Sequence, residues 1–158
     1  MGTDEGLPAL PVGTRTRSMG RTLTEGEFCL LNTLSWSISE LHSNREKMAG
    51  TVFGERLLAG TMLLAVAQGL HDSSDGLREL EETHGVRFTR TLGLQARFRS
   101  PVRPGDTLWV ETELVAAEAA GEPGAGVAVF SDTASNQHDE TVVELERRVR
   151  FHHAAPVS

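Results

Sequence analysis

The stretch WSISELH, residues 36–42, sets one histidine and one glutamate beside two serines and holds no aspartate. A histidine takes or gives a proton near neutral pH because its ordinary pKa is about 6.5, so His42 is the acid/base candidate. Glu40 offers a carboxylate two residues away. Ser37 and Ser39 offer hydroxyls, which hydrogen-bond a water molecule but are not bases near pH 7. The competing reading makes His42 a loop histidine capping the preceding helix and Glu40 an exposed turn charge. Gln68 lies in an apolar segment and needs a partner, so it bonds a loop or faces a pocket. Trp36 is a pocket wall or a core residue. Arg97, Arg99 and Arg103 cluster around FRSPVRPGD and could hold phosphates, although arginines are also common on exposed strand faces. His152 and His153 have no carboxylate or cysteine at ligand spacing, so no metal site is expected. A Gly-rich phosphate loop, a Gly-x-Ser-x-Gly elbow and a Cys-x-x-Cys pair are absent from the sequence.

The elements that must position these residues follow from the pattern. Thr24-Glu25-Gly26-Glu27 is a capping box that starts a helix through FCLLNTLS, with Phe28, Leu31 and Leu34 or Ser35 on one face. WSISELH then lies at the exit of that helix. ERLLAGTMLLAVAQGLHD, residues 55–72, is apolar on nearly every face and reads as a helix buried all round. LRELEETH suggests a short helix. TLGLQARFRS alternates like a half-exposed strand, with Leu92, Leu94, Ala96 and Phe98 on one side. TLWVETELVAAE, GVAVFSDTASN and TVVELERRVRF follow as strands, separated by the turns RPGD, AAGEPGAG and QHDE. The expected fold is α+β, an antiparallel sheet wrapped around one long helix.

Length and charge bound the function. At 158 residues the chain suits one domain, with residues 1–11 as a lead-in, 12–152 as the folded unit and 153–158 as a tail. A formal charge of −7 argues against nucleic-acid and membrane-surface partners, both polyanionic. Cys29 is the single cysteine, which excludes a disulfide framework and points to a reducing cytoplasm. No run reaches the roughly 18 to 20 apolar residues of a membrane span, and MGTDEGLPALPVG lacks the flanks of a signal peptide.

Four stretches together resemble the MaoC-like dehydratases and (R)-specific enoyl-CoA hydratases of the hot-dog fold. GRTLTEGEF is similar to that family's strand-to-helix passage, and ELHSN to the second half of its Asp-x-Asn-Pro-x-His motif. FGERLLAGTMLLAVAQGL is similar to its loop and central helix, which normally carries His-Gly before a Met/Leu run. FRSPVRPGDTLWVETELV and SNQHDETVVELERRVRF resemble its strand pairs. The resemblance implies a homodimer or larger assembly with acyl-thioester sites between subunits. It implies no cofactor beyond the coenzyme A or phosphopantetheine of the substrate, and an acyl carrier protein as a possible partner. It makes His42 the catalytic histidine and Gly60 the glycine whose amide faces the thioester carbonyl. Gln68 stands where some relatives carry a serine near the substrate. Ser37 replaces the family aspartate, Ser39 its asparagine and Glu40 its proline. The resemblance thus implies hydration or dehydration at the α,β-position with Glu40 replacing the lost carboxylate, or a variant loop like that of the mesaconyl-CoA and methylmalyl-CoA branch. Also open are a non-catalytic acyl-thioester binding subunit and another reaction at the same carbonyl, thioester hydrolysis or isomerisation.

Overall fold

The computed structural model describes residues 9–154; the lead-in reading for 1–8 and the tail reading for 155–158 lie outside them. The chain runs β1 (Arg15–Arg17), β2 (Arg21–Thr22), α1 (Glu25–Leu34), α2 (Glu40–Ser43), α3 (Arg45–Ala49), α4 (Gly60–Asp72) and α5 (Asp75–His84). Four long strands follow, β3 (Val86–Phe98), β4 (Thr107–Ala119), β5 (Ala125–Ser135) and β6 (Thr141–His153). They form an antiparallel sheet in the order β1-β4-β5-β6-β3, with β2 also on β4. This is the expected α+β architecture, with α4 as the helix against the sheet.

Local sequence explains the ends of several elements. The Thr24 hydroxyl accepts from the Glu27 amide while Glu27 accepts from the Thr24 amide, so the capping box is real. Hydrogen bonds from Arg21 and from Thr24 draw the Glu27 carboxyl down to about 2. The RPGD turn places Gly105 at φ 87°, a left-handed geometry suited to glycine. It clasps the approach to α1, because the Gly105 amide donates to Leu23 O and the Leu23 amide to Asp106 O, each at 2.8 Å.

The core lies between α4 and the inner face of the sheet. Leu63, Val66, Ala67 and Leu70 of α4 pack with Leu108, Val110, Ala134, Val143 and Leu145, and Phe28 of α1 closes one side. A second cluster beneath α5 joins Leu80 to Val86, Leu114, Phe130 and Phe151. Leu10 belongs to that cluster, so the last residues of the expected lead-in are part of the fold.

Four expectations need correction. The helix expected from 55 begins only at Gly60, because residues 57–59 form an extended strap whose amides are held by distant acceptors. In the single chain α4 is also not buried all round, since Thr61, Ala65 and Gly69 are exposed. On α1 the buried residues are Phe28 and Asn32, while Leu34 is exposed. β6 itself runs through His153, so the sheet ends one residue later than the expected boundary.

Candidate active site

The strap before α4 commits its amides one after another until the helix begins. Leu57 N–H donates to Leu41 O at 3.0 Å and Leu58 N–H to Val102 O at 2.8 Å. Ala59 N–H donates to Asn32 Oδ1 at 2.9 Å. The Ala59 carbonyl then receives the Met62 and Leu63 amides at 2.9 and 3.0 Å. Gly60 and Thr61 supply the next two amides, which have no acceptor among the described residues, as the geometry of a first helical turn dictates. Ala59, the N-cap, adds no side-chain cap. A trans peptide is planar with C=O and N–H opposed, so an Ala59 carbonyl turned into α4 turns the Gly60 N–H off its end. That N–H, at the positive end of the helix dipole, is suited to an oxygen that gains negative charge.

His42 is tied to the same strap. Its Nδ1 lies 2.7 Å from Leu57 O. A carbonyl only accepts, so Nδ1 carries the hydrogen and Nε2 of the neutral ring presents a lone pair. Leu57 therefore holds α2 twice, its amide on Leu41 and its carbonyl on His42. At most about 11 Å of extended chain separates Leu57 from Gly60. The acid/base candidate and the open amide thus share one short, hydrogen-bonded segment. The reading of His42 as a cap of the preceding helix is not what the structure shows.

Around them the expected residues divide. Ser37 is half-buried, its amide donates to Asn32 O at 2.9 Å, and its hydroxyl lies 2.9 Å from that of Ser35. Ser39 is the exposed N-cap of α2 and makes no side-chain cap bond. Glu40 is exposed and bonded to Lys47 Nζ, whose hydrogen bond and charge hold the carboxyl below its ordinary range. Trp36 sits in the left-handed region at φ 56° and is 84% exposed, so in the single chain it is not a core residue.

Gln68 is carried away from the site by the helix, roughly 12 Å along α4 from Gly60. Its amide approaches Asp72 Oδ2 at 3.4 Å, and it lines a groove of about 520 Å³ with Leu77, Phe88 and Val149. The Phe98 ring lies on the α4 side of β3, against Gly60, so strand alternation sends Arg97 and Arg99 to the opposite face. Arg99 is paired there with Glu144 at 2.7 Å, which raises the guanidinium pKa. Arg103 donates to Phe53 O at 3.2 and 3.3 Å. Arg103 is therefore separated from Arg97 and Arg99, which share the opposite face beside Glu144.

Two contributors escaped the sequence reading. Asn32, buried on α1, holds the Ala59 amide; a polar residue four after Phe28 on an apolar face was the available signal. Arg56, also buried, spans from Glu25 of α1 to Glu55 just before the strap and lies over the Phe28 ring. Its side chain bonds Glu25 and its backbone amide bonds Glu55, and both carboxyls are held below their ordinary range. Among the described residues no group of three or more His, Cys, Asp or Glu could hold a metal ion. None of their helices is long and apolar enough to cross a membrane.

A helix lying across a curled antiparallel sheet, its amino end open beside a histidine-bearing loop, is the arrangement of a hot-dog domain. The model of the MaoC like domain matches residues 9–135, and the chain belongs to that family. Protein MaoC of Klebsiella aerogenes is 33% identical over 90 residues, 57% of this chain. The chain spans about a quarter of the length of that relative, 24%. Among solved structures, the MaoC-like dehydratase from Rhodospirillum rubrum superposes with a TM-score of 0.72 at 22% identity, covering 96% of this chain and all of that one. The (R)-hydratase from A. caviae involved in PHA biosynthesis superposes with a TM-score of 0.68 at 23% identity, covering 89% of this chain and 96% of that one.

Proposed function

We propose that the protein is a hydro-lyase that adds water to, or removes it from, the α,β-position of an acyl thioester. The observation that carries this reading is the strap, which ties the His42 ring through Leu57 O to within three residues of the open Gly60 amide. Membership of the MaoC-like family and the likeness to an (R)-hydratase support the substrate class.

In the hydration direction His42 Nε2 takes a proton from water as the water oxygen bonds to Cβ. The π-electron pair moves toward the thioester, whose oxygen gains enolate charge against the Gly60 N–H. The protonated ring then returns its proton to Cα and the carbonyl reforms. Dehydration is the same path reversed. Ser37 contributes a hydroxyl that hydrogen-bonds the water but does not ionise, and Glu40 is occupied by Lys47, so His42 alone moves protons. The thioester comes from coenzyme A or a carrier protein, and a homodimer is the proposed assembly.

The decisive experiment assays enoyl- and 3-hydroxyacyl-CoA thioesters with the wild type and with His42→Ala. Loss of about 10²- to 10⁴-fold in kcat is expected for the variant. Undiminished turnover in His42→Ala would sink the mechanism. The second reading, a binding subunit without turnover, draws on the serine at position 37 and the engaged Glu40. It is preferred if the wild type binds the thioesters tightly and converts none.

A further inference from the structure

Asn32 is a polar side chain carried into the interior, 4% exposed, one turn beyond Phe28 on the buried face of α1. Its partner fixes its orientation: the Ala59 N–H only donates, so the atom 2.9 Å away is the oxygen, and Nδ2 is the other end. That Nδ2 is buried and has no partner. An unpaired buried donor is costly, and a leucine of similar shape would carry no such cost. What leucine lacks is the acceptor. The oxygen is therefore what this side chain contributes, and it acts on the residue immediately before Gly60. The main chain of Asn32 acts on the other half of the site, since its carbonyl accepts the Ser37 amide at 2.9 Å and lies 3.1 Å from the Ser35 hydroxyl.

We infer that Asn32 is a positioning residue for acyl-thioester chemistry, fixing the direction of the Gly60 N–H relative to the loop that carries Ser37 and His42. The inference rests on the hydro-lyase reading of this site. Ala59 stands at φ −61° and ψ 134° between two anchors, its amide on Asn32 and its carbonyl on the first turn of α4. With both held, the plane of the Ala59–Gly60 peptide is set, and so is the Gly60 N–H within it. Removing the Asn32 oxygen leaves one anchor and orphans the Ala59 amide. Hydrogen bonds weaken steeply with misalignment, so polarisation of the substrate carbonyl falls while contacts along the rest of the thioester persist. A residue that acted only through stability would not separate those two effects.

The test uses butyryl-CoA carrying an isotope-labelled carbonyl, a saturated thioester that cannot be hydrated. Its carbonyl stretch is read by infrared difference spectroscopy on the full chain at saturation. In the wild type the band moves to lower wavenumber on binding. In Asn32→Leu most of that displacement is lost although butyryl-CoA still binds. Asn32→Asp, which keeps an oxygen facing the Ala59 amide, retains most of it. With crotonyl-CoA, kcat of Asn32→Leu falls about 10- to 100-fold while KM stays within about threefold. Asn32→Ser, whose hydroxyl is too short to reach the Ala59 amide, gives the same readout should the leucine variant fail to fold. A full displacement in Asn32→Leu or Asn32→Ser overturns the inference, as does a loss in Asn32→Asp as complete as in either of them. Wild-type protein that binds the butyryl thioester neither as butyryl-CoA nor as butyryl-phosphopantetheine on a carrier protein overturns the hydro-lyase reading and this inference together, before any variant is compared. A displacement seen in the wild type and lost in Asn32→Leu, with no turnover in either, supports the role of Asn32 and rejects only the reaction.

Discussion

At the scale of single residues, the site depends on atoms left free because their neighbours are committed. Nε2 of His42 is available because Nδ1 is held by Leu57, and the Gly60 amide is available because Ala59 takes the preceding acceptor. Gly60 also leaves room: a Cβ there would stand 3.0 Å from Phe98 Cζ and 3.1 Å from Cε1. Phe98 is 53% exposed, so its ring can yield by the few tenths of an ångström required. Gly60→Ala should therefore change stability by no more than about 1 kcal/mol, the ordinary range for a tolerated substitution. The new methyl crowds the open amide without removing it, and kcat/KM should fall about 10- to 100-fold, less than the roughly 10²- to 10³-fold of an oxyanion donor lost outright. Melting temperature and kcat/KM measured side by side check this; unchanged kcat/KM would remove Gly60 from the site. Of these residues, His42 and Gly60 were candidates from resemblance. Asn32 was not, because its partner Ala59 lies 27 positions away in sequence and no local period reports such a pairing.

At the scale of elements, what the sequence revealed was local and what it hid was long-range. The capping box and the hairpin strands depend on neighbours within a few residues, and they formed as expected. The strap was hidden because Leu57, Leu58 and Ala59 are as apolar as the helix that follows. Only acceptors on Leu41, Val102 and Asn32 hold those residues extended. β3 is the other case. Alternation correctly put Leu94, Ala96 and Phe98 on one face, since they pair with Arg147, Leu145 and Val143, whose side chains point toward α4. It did not reveal that β3 is the sheet edge, where Leu94 stays 39% and Phe98 53% exposed despite facing inward. A 13-residue edge with uncovered inner-face hydrophobics invites a second copy to pair along it, which is the homodimer proposed above. Leu94→Lys would place a charge in that contact. Self-association, followed by light scattering across a dilution series, is expected to weaken at least about 100-fold, equivalent to about 2.7 kcal/mol. A mass and concentration dependence equal to wild type would place the interface elsewhere.

At the scale of the whole molecule, the carboxyl end of α4 is pinned to the sheet by charge rather than by apolar packing alone. Asp132 of β5 accepts from Arg147 Nε at 2.7 Å, from the Thr112 hydroxyl at 2.7 Å and from His71 Nδ1 at 2.9 Å. These residues are all buried, and Arg147 also reaches Asp72 at 3.5 Å, so α4, β4, β5 and β6 meet at one carboxylate. The site at the other end of the helix inherits that anchorage, since α4 is the rigid link between them. Burial alone would raise the Asp132 pKa; the hydrogen bond and charge of His71, the charge of Arg147 and the Thr112 hydroxyl outweigh it and hold the value below the ordinary 3.8. A carboxyl whose folded pKa lies below its unfolded one stabilises the fold at all pH above the unfolded value, and the contribution disappears as pH falls through the folded value. Asp132→Asn keeps the shape, removes the charge and leaves the Arg147 guanidinium buried beside a neutral amide. Breaking a buried ion pair in this way costs about 3 to 5 kcal/mol, so the variant should melt well below wild type at pH 7. The exposed carboxyls titrate alike in both proteins, so the difference in unfolding free energy between them reads Asp132 together with the groups bonded to it. On going from pH 7 into acid, that difference should shrink steadily below about 4. Urea unfolding of the two proteins across that range reads it directly. A gap that stays the same width into acid would mean that Asp132 is not the charge on which this anchorage depends.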